Sequence, residues 1–380
     1  MPRRRTVPTR AAATVPAAPP ATEATPSPAE PPAEPPAARR ARGPARPAGA
    51  SSAETLTWAR DLIDPGLRDT VGSMPGSMAR IASYHFGWED AEGRPARADG
   101  GKVLRPALTL LCAEAAGGTA QAALPAAVAV ELVHNFSLLH DDVMDGDLTR
   151  RHRPTAWNVF GAGPAILAGD ALLARALELL AGAGEGVVML SRAVLELVEG
   201  QSSDMSFERR SDVDLAECVQ MADRKTGALI GASCGLGALY GGAPAARAAR
   251  LTAFGHRLGL AFQLVDDLLG IWGDPATTGK AAHSDLRSRK KSLPVVAALT
   301  SGTAAAGELA ALYHQDRPLG EAERARAAEL VEAAGGRDWA RTRALELLEE
   351  ALAELDAADP AGPAAEHLRG LAGLVTTRDH

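Results

Sequence analysis

The sequence predicts an all-α protein built as a single large helical bundle, and three features carry that prediction. Apolar residues recur at three- and four-residue spacing from Leu56 nearly to the C-terminus, with Gly and Pro as punctuation. No alternating run is long enough to build a sheet, and no solenoid repeat is present. Aromatic residues make up 4% of the chain against 46% apolar, so the core must be Ala, Leu and Val, a composition that favours helices packed on helices.

Residues 1–50 come first and stand apart. They are Pro, Ala, Thr and Arg with almost no large apolar side chain, and such a segment cannot bury enough surface to offset its conformational entropy. A disordered, partly polyproline II tail is expected. Eight Arg against three Glu make it basic, which fits either a passive solubilising tail or a tether that docks on a partner assembly or shell. The remaining residues, 51–380, form the helical domain. Helices are predicted over about 65–86, 104–116, 123–145, 164–181, 187–206, 213–239, 247–272, 293–313, 321–333, 337–356 and 363–375. The helices beyond about residue 300 carry ordinary amphipathic charge patterns such as Glu346-Leu347-Leu348-Glu349-Glu350 and read as bundle closure.

A net charge of −7 argues against general nucleic-acid binding. No stretch reaches the roughly eighteen uninterrupted apolar residues of a membrane span, and the first residues lack the apolar core of a secretory signal. A cytoplasmic protein is expected. Cys112, Cys218 and Cys234 are odd in number, widely spaced and set in apolar helical surroundings, as buried free thiols would be.

Two acidic helix ends interrupt the apolar pattern. In Leu139-His140-Asp141-Asp142-Val143-Met144-Asp145, Asp141 and Asp145 lie one turn apart on one face, and Arg150 and Arg151 follow. Paired carboxylates suit a hard divalent cation that completes its shell with water and phosphate, and guanidinium forks suit phosphate oxygens. Taken alone, the segment reads equally as a solvated acidic helix end. A second pair, Asp266-Asp267, ends the apolar run Phe262-Gln263-Leu264-Val265, where uncompensated burial of charge would be costly.

With both pairs in view, the chain resembles the trans-isoprenyl diphosphate synthases, or polyprenyl synthetases. The resemblance runs from about residue 65 to about residue 300 and rests on an ordered set of pieces. These are Gly100-Gly101-Lys102-Val103-Leu104-Arg105-Pro106, Glu131-Leu132-Val133-His134, the Asp141–Asp145 motif with Arg150-Arg151, Gly169-Asp170, Gly200-Gln201, Lys225-Thr226, Gln263 with Asp266-Asp267, Gly279-Lys280, and Asp285 with Lys290. It implies an isoprenoid-synthase bundle, a homodimer, with the acidic motifs facing a central cavity. The implied reaction ionises an allylic diphosphate, whose carbocation alkylates isopentenyl diphosphate head-to-tail before a proton is lost. By the same resemblance Asp141, Asp145 and Asp266 ligate Mg²⁺ with Asp142 and Asp267 in support. Arg150, Lys225, Lys280 and Lys290 grip the allylic diphosphate, and Lys102, Arg105, His134 and Arg151 hold the acceptor without metal. Lys225, Thr226 and Gln263 stand near the cation. On its own residues His134 reads as a satisfied core histidine; its Glu-Leu-x-His setting turns it to a ligand.

The chain departs from the family pattern at Gly270, where the second motif usually has a third aspartate, and at Val103, where a basic residue is common. Because that third carboxylate is normally a supporting one, Gly270→Asp is expected to be neutral or mildly beneficial. Two other readings compete: a class I terpene cyclase, which needs no basic acceptor set, and a non-catalytic regulatory subunit, whose signature would be degraded metal ligands. Product length is read from the floor beneath the first motif. Phe136 there fills one isoprene of space and Ser137 leaves room, a pairing that resembles geranylgeranyl diphosphate synthases.

Overall fold

Ser51 opens the helical chain. Its hydroxyl accepts from the Glu54 amide at 3.3 Å and its own amide donates to the Glu54 carboxylate at 2.8 Å, a capping box that starts α1 at Ser52 and not near residue 65. The computed structural model describes residues 49–98, 101–274, 283–315 and 317–376, so Gly100, Lys280 and most of the N-terminal tail lie outside it. After α1 (Ser52–Gly72) the chain turns at Ser73–Pro75 into α2 (Gly76–His85), dividing what the sequence predicts as one helix, because Pro75 cannot continue a hydrogen-bonded turn.

The bundle continues through α3 (Leu104–Ala115), α4 (Leu124–Met144), α5 (Ala156–Phe160), α6 (Ala162–Leu179) and α7 (Gly184–Phe207). Next come α8 (Leu215–Ala222), a π-helical turn (Asp223–Gly227), α9 (Ala228–Tyr240), α10 (Ala245–Trp272) and the short α11 (Ser284–Arg287). The chain closes with α12 (Leu293–Leu299), α13 (Ala304–Tyr313), α14 (Glu321–Ala333), α15 (Gly336–Ala357) and α16 (Ala364–Thr376). The single helix expected over 293–313 is broken at Thr300–Thr303, where Gly302 takes φ +71° and the Thr303 hydroxyl caps α13 by accepting from the Ala306 amide.

α4 and α9 are apolar nearly all round, which places them at the centre of the bundle. The segment Ala120–Met144 is long and apolar enough to cross a membrane by composition, but 67% of its window is buried within the fold. The largest fully buried side chains are nearly all leucines, among them Leu108, Leu111, Leu132 and Leu139, with Phe254 the one aromatic. Each contributes about 1.5–3 kcal/mol of apolar burial. Cys112, Cys218 and Cys234 are free and buried. The one strand pair among the described residues is a two-residue ladder, Thr149–Arg150 with Arg153–Pro154, joined by Arg151 and His152.

Candidate active site

The two acidic helix ends are α4 and α10, and within each the paired aspartates divide in the same way. Asp142 is buried, and Arg150 Nε donates to its Oδ1 at 2.7 Å. Asp267 is buried as well, its Oδ1 accepting from Gln263 Nε2 at 2.7 Å and its Oδ2 from the Leu293 amide at 2.9 Å. The latter bond ties the start of α12 to the end of α10. Asp141 and Asp266 are only partly buried, and Asp145 sits exposed on the residue that caps α4. Burial pushes the carboxyls of Asp141, Asp142 and Asp267 up to about 6.

Cations and further carboxylates, Asp204 and Asp285 among them, lie between these ends. Lys225 Nζ donates to Asp204 Oδ2 at 2.6 Å, and Lys290 Nζ stands 3.8 Å from Asp267 Oδ1. Burial alone would lower Lys290, but Asp267, Asp285, Asp204 and Asp266 together hold it above its ordinary value. Asp204 is pushed up by burial and held below the usual range by Lys225 and Lys290, which outweigh it. Lys225 also acts electrostatically on Asp141 and Asp145, and Lys290 on Asp145, so α4, α7 and α10 share one charged region. Asp204 is absent from the sequence reading, although it lies one turn beyond Gly200 on the same helix face, and that spacing was the signal for it.

Local backbone explains how Lys225 and Thr226 are presented. They fall in the π turn between α8 and α9, a form that recurs at functional sites because it re-aims side chains. α7 reaches that turn because residue 200 is glycine: a Cβ there would lie 2.4 Å from the Lys225 amide nitrogen. Thr226 Oγ1 donates to Gln263 Oε1 at 2.6 Å, while the Gln263 amide is engaged by Asp267, so both ends of that side chain are fixed.

The basic residues expected at the acceptor site cluster together, Arg105 and Arg151 both acting electrostatically on His134. Arg105 is pushed down to about 10 by burial while Glu131 pulls it back up, and its Nε finds no hydrogen-bond partner among the described residues. His134 lies well below its ordinary range through burial, with Arg105 and Arg151 adding to the effect. His85, absent from the sequence reading, joins them and is held at about 3 by burial and by Arg151 and Arg150. No local motif marks it; only the fold brings α2 to this cluster. Arg151 and His152 have φ of +50° and +61°, the pattern of a tight hairpin turn that normally favours Asn-Gly. Such strain persists where the surroundings enforce it, and here the Arg151 guanidinium lies 2.4 Å from where a Cβ on Gly101 would stand. Val103 also takes a left-handed conformation, φ +47°, at the residue preceding α3. Lys102 is exposed. Beneath the first motif, Phe136 is buried and meets the His140 ring edge-on at 4.8 Å, and His140 Nε2 lies 2.9 Å from the Ile166 carbonyl oxygen.

Among the described residues no three His, Cys, Asp or Glu groups stand in ready metal-ligating geometry. The donor set is nonetheless all carboxylate oxygen, and burial resists its charge, so a hard divalent cation fits it chemically. An ideal Cβ on Gly270 would lie 2.3 Å from Asp285 Oδ2, so a side chain at 270 requires the Asp285 carboxylate to shift.

An all-helical bundle with acidic pairs on two helix ends, lysines between them and a basic cluster nearby suits an enzyme of diphosphate substrates. The known proteins agree. The polyprenyl synthetase family model matches residues 95–331, and the chain belongs to that family. It is 49% identical over 294 residues to a (2E,6E)-farnesyl diphosphate synthase of Mycobacterium tuberculosis H37Rv, covering 75% of this chain and 82% of that one. A geranylgeranyl diphosphate synthase of the same organism is 48% identical over 303 residues, 78% of this chain and 87% of the relative. The crystal structure of a polyprenyl synthetase from Streptomyces coelicolor superposes with TM-score 0.82 at 47% identity, over 85% of this chain and 99% of that one. A polyprenyl synthase from Caulobacter crescentus, solved with calcium and isoprenyl diphosphate, matches with TM-score 0.75 at 31% identity, over 87% and 99%. The chain is a trans-prenyltransferase that makes a polyprenyl diphosphate.

Proposed function

We propose that the enzyme condenses isopentenyl diphosphate with dimethylallyl, geranyl or farnesyl diphosphate and stops at geranylgeranyl diphosphate. The observation that carries the two-substrate reading is the grouping of cations into two sets, Lys225 and Lys290 among the aspartates of the helix ends, and Arg105, His134 and Arg151 together beside Glu131. In this reading Asp141, Asp145 and Asp266 hold Mg²⁺, which when bound neutralises the charge developing on the departing diphosphate. Asp142 and Asp267 hold the helix ends in place. Lys225, Lys290, Lys280 and Arg150 grip the allylic diphosphate, for which Lys225 exchanges Asp204 for phosphate oxygens while Arg150 keeps its Nε on Asp142 and offers its remaining N–H groups. Lys102, Arg105, His134 and Arg151 bind the acceptor diphosphate. Thr226 and Gln263 offer uncharged oxygen dipoles that stabilise a carbocation without capturing it. No strong base stands among these residues, which suits proton loss to the departing diphosphate.

The product assignment rests on Phe136, buried and braced by His140, with the smaller Ser137 beside it. Ile166 and Leu167 on α6 and Val188, Leu195 and Val198 on α7 are exposed apolar residues, which suits a homodimer. Buried free thiols suit the cytoplasm. Residues 1–50 act as a tail, passive or docking on a partner assembly. A protein beginning at Ser51 should keep its melting temperature and turnover, and unchanged localisation as well would leave only the passive role.

The test is incubation with Mg²⁺, labelled isopentenyl diphosphate and each allylic diphosphate in turn, with chromatography of the dephosphorylated products. Geranylgeraniol is expected from all three primers; products ending at farnesol or running past geranylgeraniol would overturn the assignment. Phe136→Ala should lengthen the product and Ser137→Phe shorten it.

A further inference from the structure

The second acidic motif lacks a third carboxylate in its own helix, and the structure shows another carboxylate standing in that space. Built on Gly270, an ideal Cβ lies 2.3 Å from Asp285 Oδ2, 2.5 Å from its Cγ and 2.7 Å from its Oδ1. The whole Asp285 carboxylate therefore occupies the volume that a side chain at 270 would need. Position 270 is four residues after Asp266, so on α10 the two share a face. A carboxylate lying over Gly270 stands where the third member of a three-aspartate motif would begin.

The segment that carries Asp285 is fixed against α10. Ser284 Oγ lies 3.2 Å from the Gly270 carbonyl oxygen, to which it donates, and 3.3 Å from Asp285 Oδ1. The Lys290 amide donates to the Asp285 carbonyl at 3.0 Å, and Arg289 Nη1 reaches the carbonyl oxygens of Tyr313 and Gln315. α11 is bracketed by two non-glycine residues in the left-handed region, His283 at φ +57° and Arg289 at φ +55°. Such conformations are costly for non-glycine residues and persist only where neighbouring contacts determine the backbone. The chain thus accepts strain on both sides of the residue that faces Gly270.

We infer that Asp285 takes over the role of the missing third aspartate, so that the second motif is completed from α11 and Gly270 is the residue that makes room for it. This rests on the metal-dependent reading above. Asp285 is a positioning residue: its carboxylate borders Lys290 and the Asp266 face and sustains the negative field that a divalent cation needs there.

The experiment follows thermal stabilisation of the full-length protein by inorganic diphosphate at saturating concentration while Mg²⁺ is varied. Asp285→Asn, nearly isosteric, should raise the Mg²⁺ midpoint by about 10-fold or more, as loss of a group that supports metal ligands does. Gly270→Asp should melt lower than the native protein without tightening Mg²⁺. The exchange Gly270→Asp with Asp285→Gly should bring the midpoint back toward native, well below that of Asp285→Gly alone. A native midpoint in Asp285→Asn, or an exchange variant no better than Asp285→Gly, would overturn the inference. If Asp285 merely held Lys290, the variants would weaken diphosphate equally at every Mg²⁺ concentration, which also overturns it. A native protein with neither turnover nor Mg²⁺-dependent stabilisation would instead sink the functional reading itself.

Discussion

The two acidic motifs begin with the same Asp-Asp pair and treat it alike, yet they differ in how they are completed. In both, the second aspartate is buried and tied to a neighbour: Asp142 through Oδ1 alone to Arg150, its Oδ2 finding no hydrogen-bond partner among the described residues, and Asp267 through both oxygens to Gln263 and the Leu293 amide. In both, the first aspartate remains partly accessible. The motif on α4 carries its own third carboxylate, Asp145, on the capping residue, whereas α10 has Gly270 with Asp285 packed over it. Identity of residue type within a motif therefore says little about role. Burial and hydrogen-bond partners separate the residue that faces a ligand from the residue that keeps its neighbour in place.

The largest effect is expected where an accessible carboxylate is removed. Asp141→Ala should cut turnover by about 100-fold or more, because a group fixed at the developing charge is lost, while the melting temperature changes little. A variant with near-native turnover in limiting Mg²⁺ would break the division of labour proposed for the first motif. A smaller and more selective effect is expected on the basic side. Arg105→Ala removes a buried charged donor worth about 1.5–3 kcal/mol, a loss of roughly 10- to 100-fold in affinity. Steady-state kinetics should show it in KM for isopentenyl diphosphate and hardly at all in KM for the allylic substrate. Equal increases in both would mean that the two cation sets do not divide the substrates.

The smallest effect is a pH dependence of stability. His85 is held at about 3 against an ordinary 6.5, so between those values the unfolded chain binds a proton that the folded protein does not. Its contribution to stability is complete above pH 6.5 and declines as pH falls toward 3, by at most about 1.4 kcal/mol per pH unit. The carboxyls of Asp141, Asp142 and Asp267, raised to about 6, act in the opposite sense because the folded protein holds their protons more tightly. Comparing His85→Gln with the native protein cancels them. The variant should lose less stability on acidification from pH 6.5 to 4.5, and parallel curves would show that His85 is not a buried neutral group.

The bundle itself was legible in the sequence because helical periodicity is local, and the leucine-rich core follows from the scarcity of aromatics. Breaks at Pro75 and Gly302 were less so, since apolar spacing continues across them. Asp141, Asp145, Asp266 and the lysines were readable as motif members. Asp204 carried a weak local signal in its spacing from Gly200, whereas His85 and the closeness of Asp285 to Gly270 were not readable, because each depends on which helices lie side by side. The expectation for Gly270→Asp rests on motif chemistry alone, because nothing local in the sequence places the Asp285 carboxylate over that glycine.

The division of roles within an Asp-Asp pair is most directly tested at the second motif, by melting Asp266→Asn and Asp267→Asn with and without Mg²⁺ and inorganic diphosphate. Asp266→Asn should melt as the native protein does without ligand and lose most of the ligand-induced rise. Asp267→Asn sets an amide against the donors from Gln263 and Leu293, should lose about 1–3 kcal/mol of stability, and should keep a ligand-induced rise. The reverse pattern, with Asp266→Asn destabilised but still responsive and Asp267→Asn native in stability but unresponsive, would contradict the account.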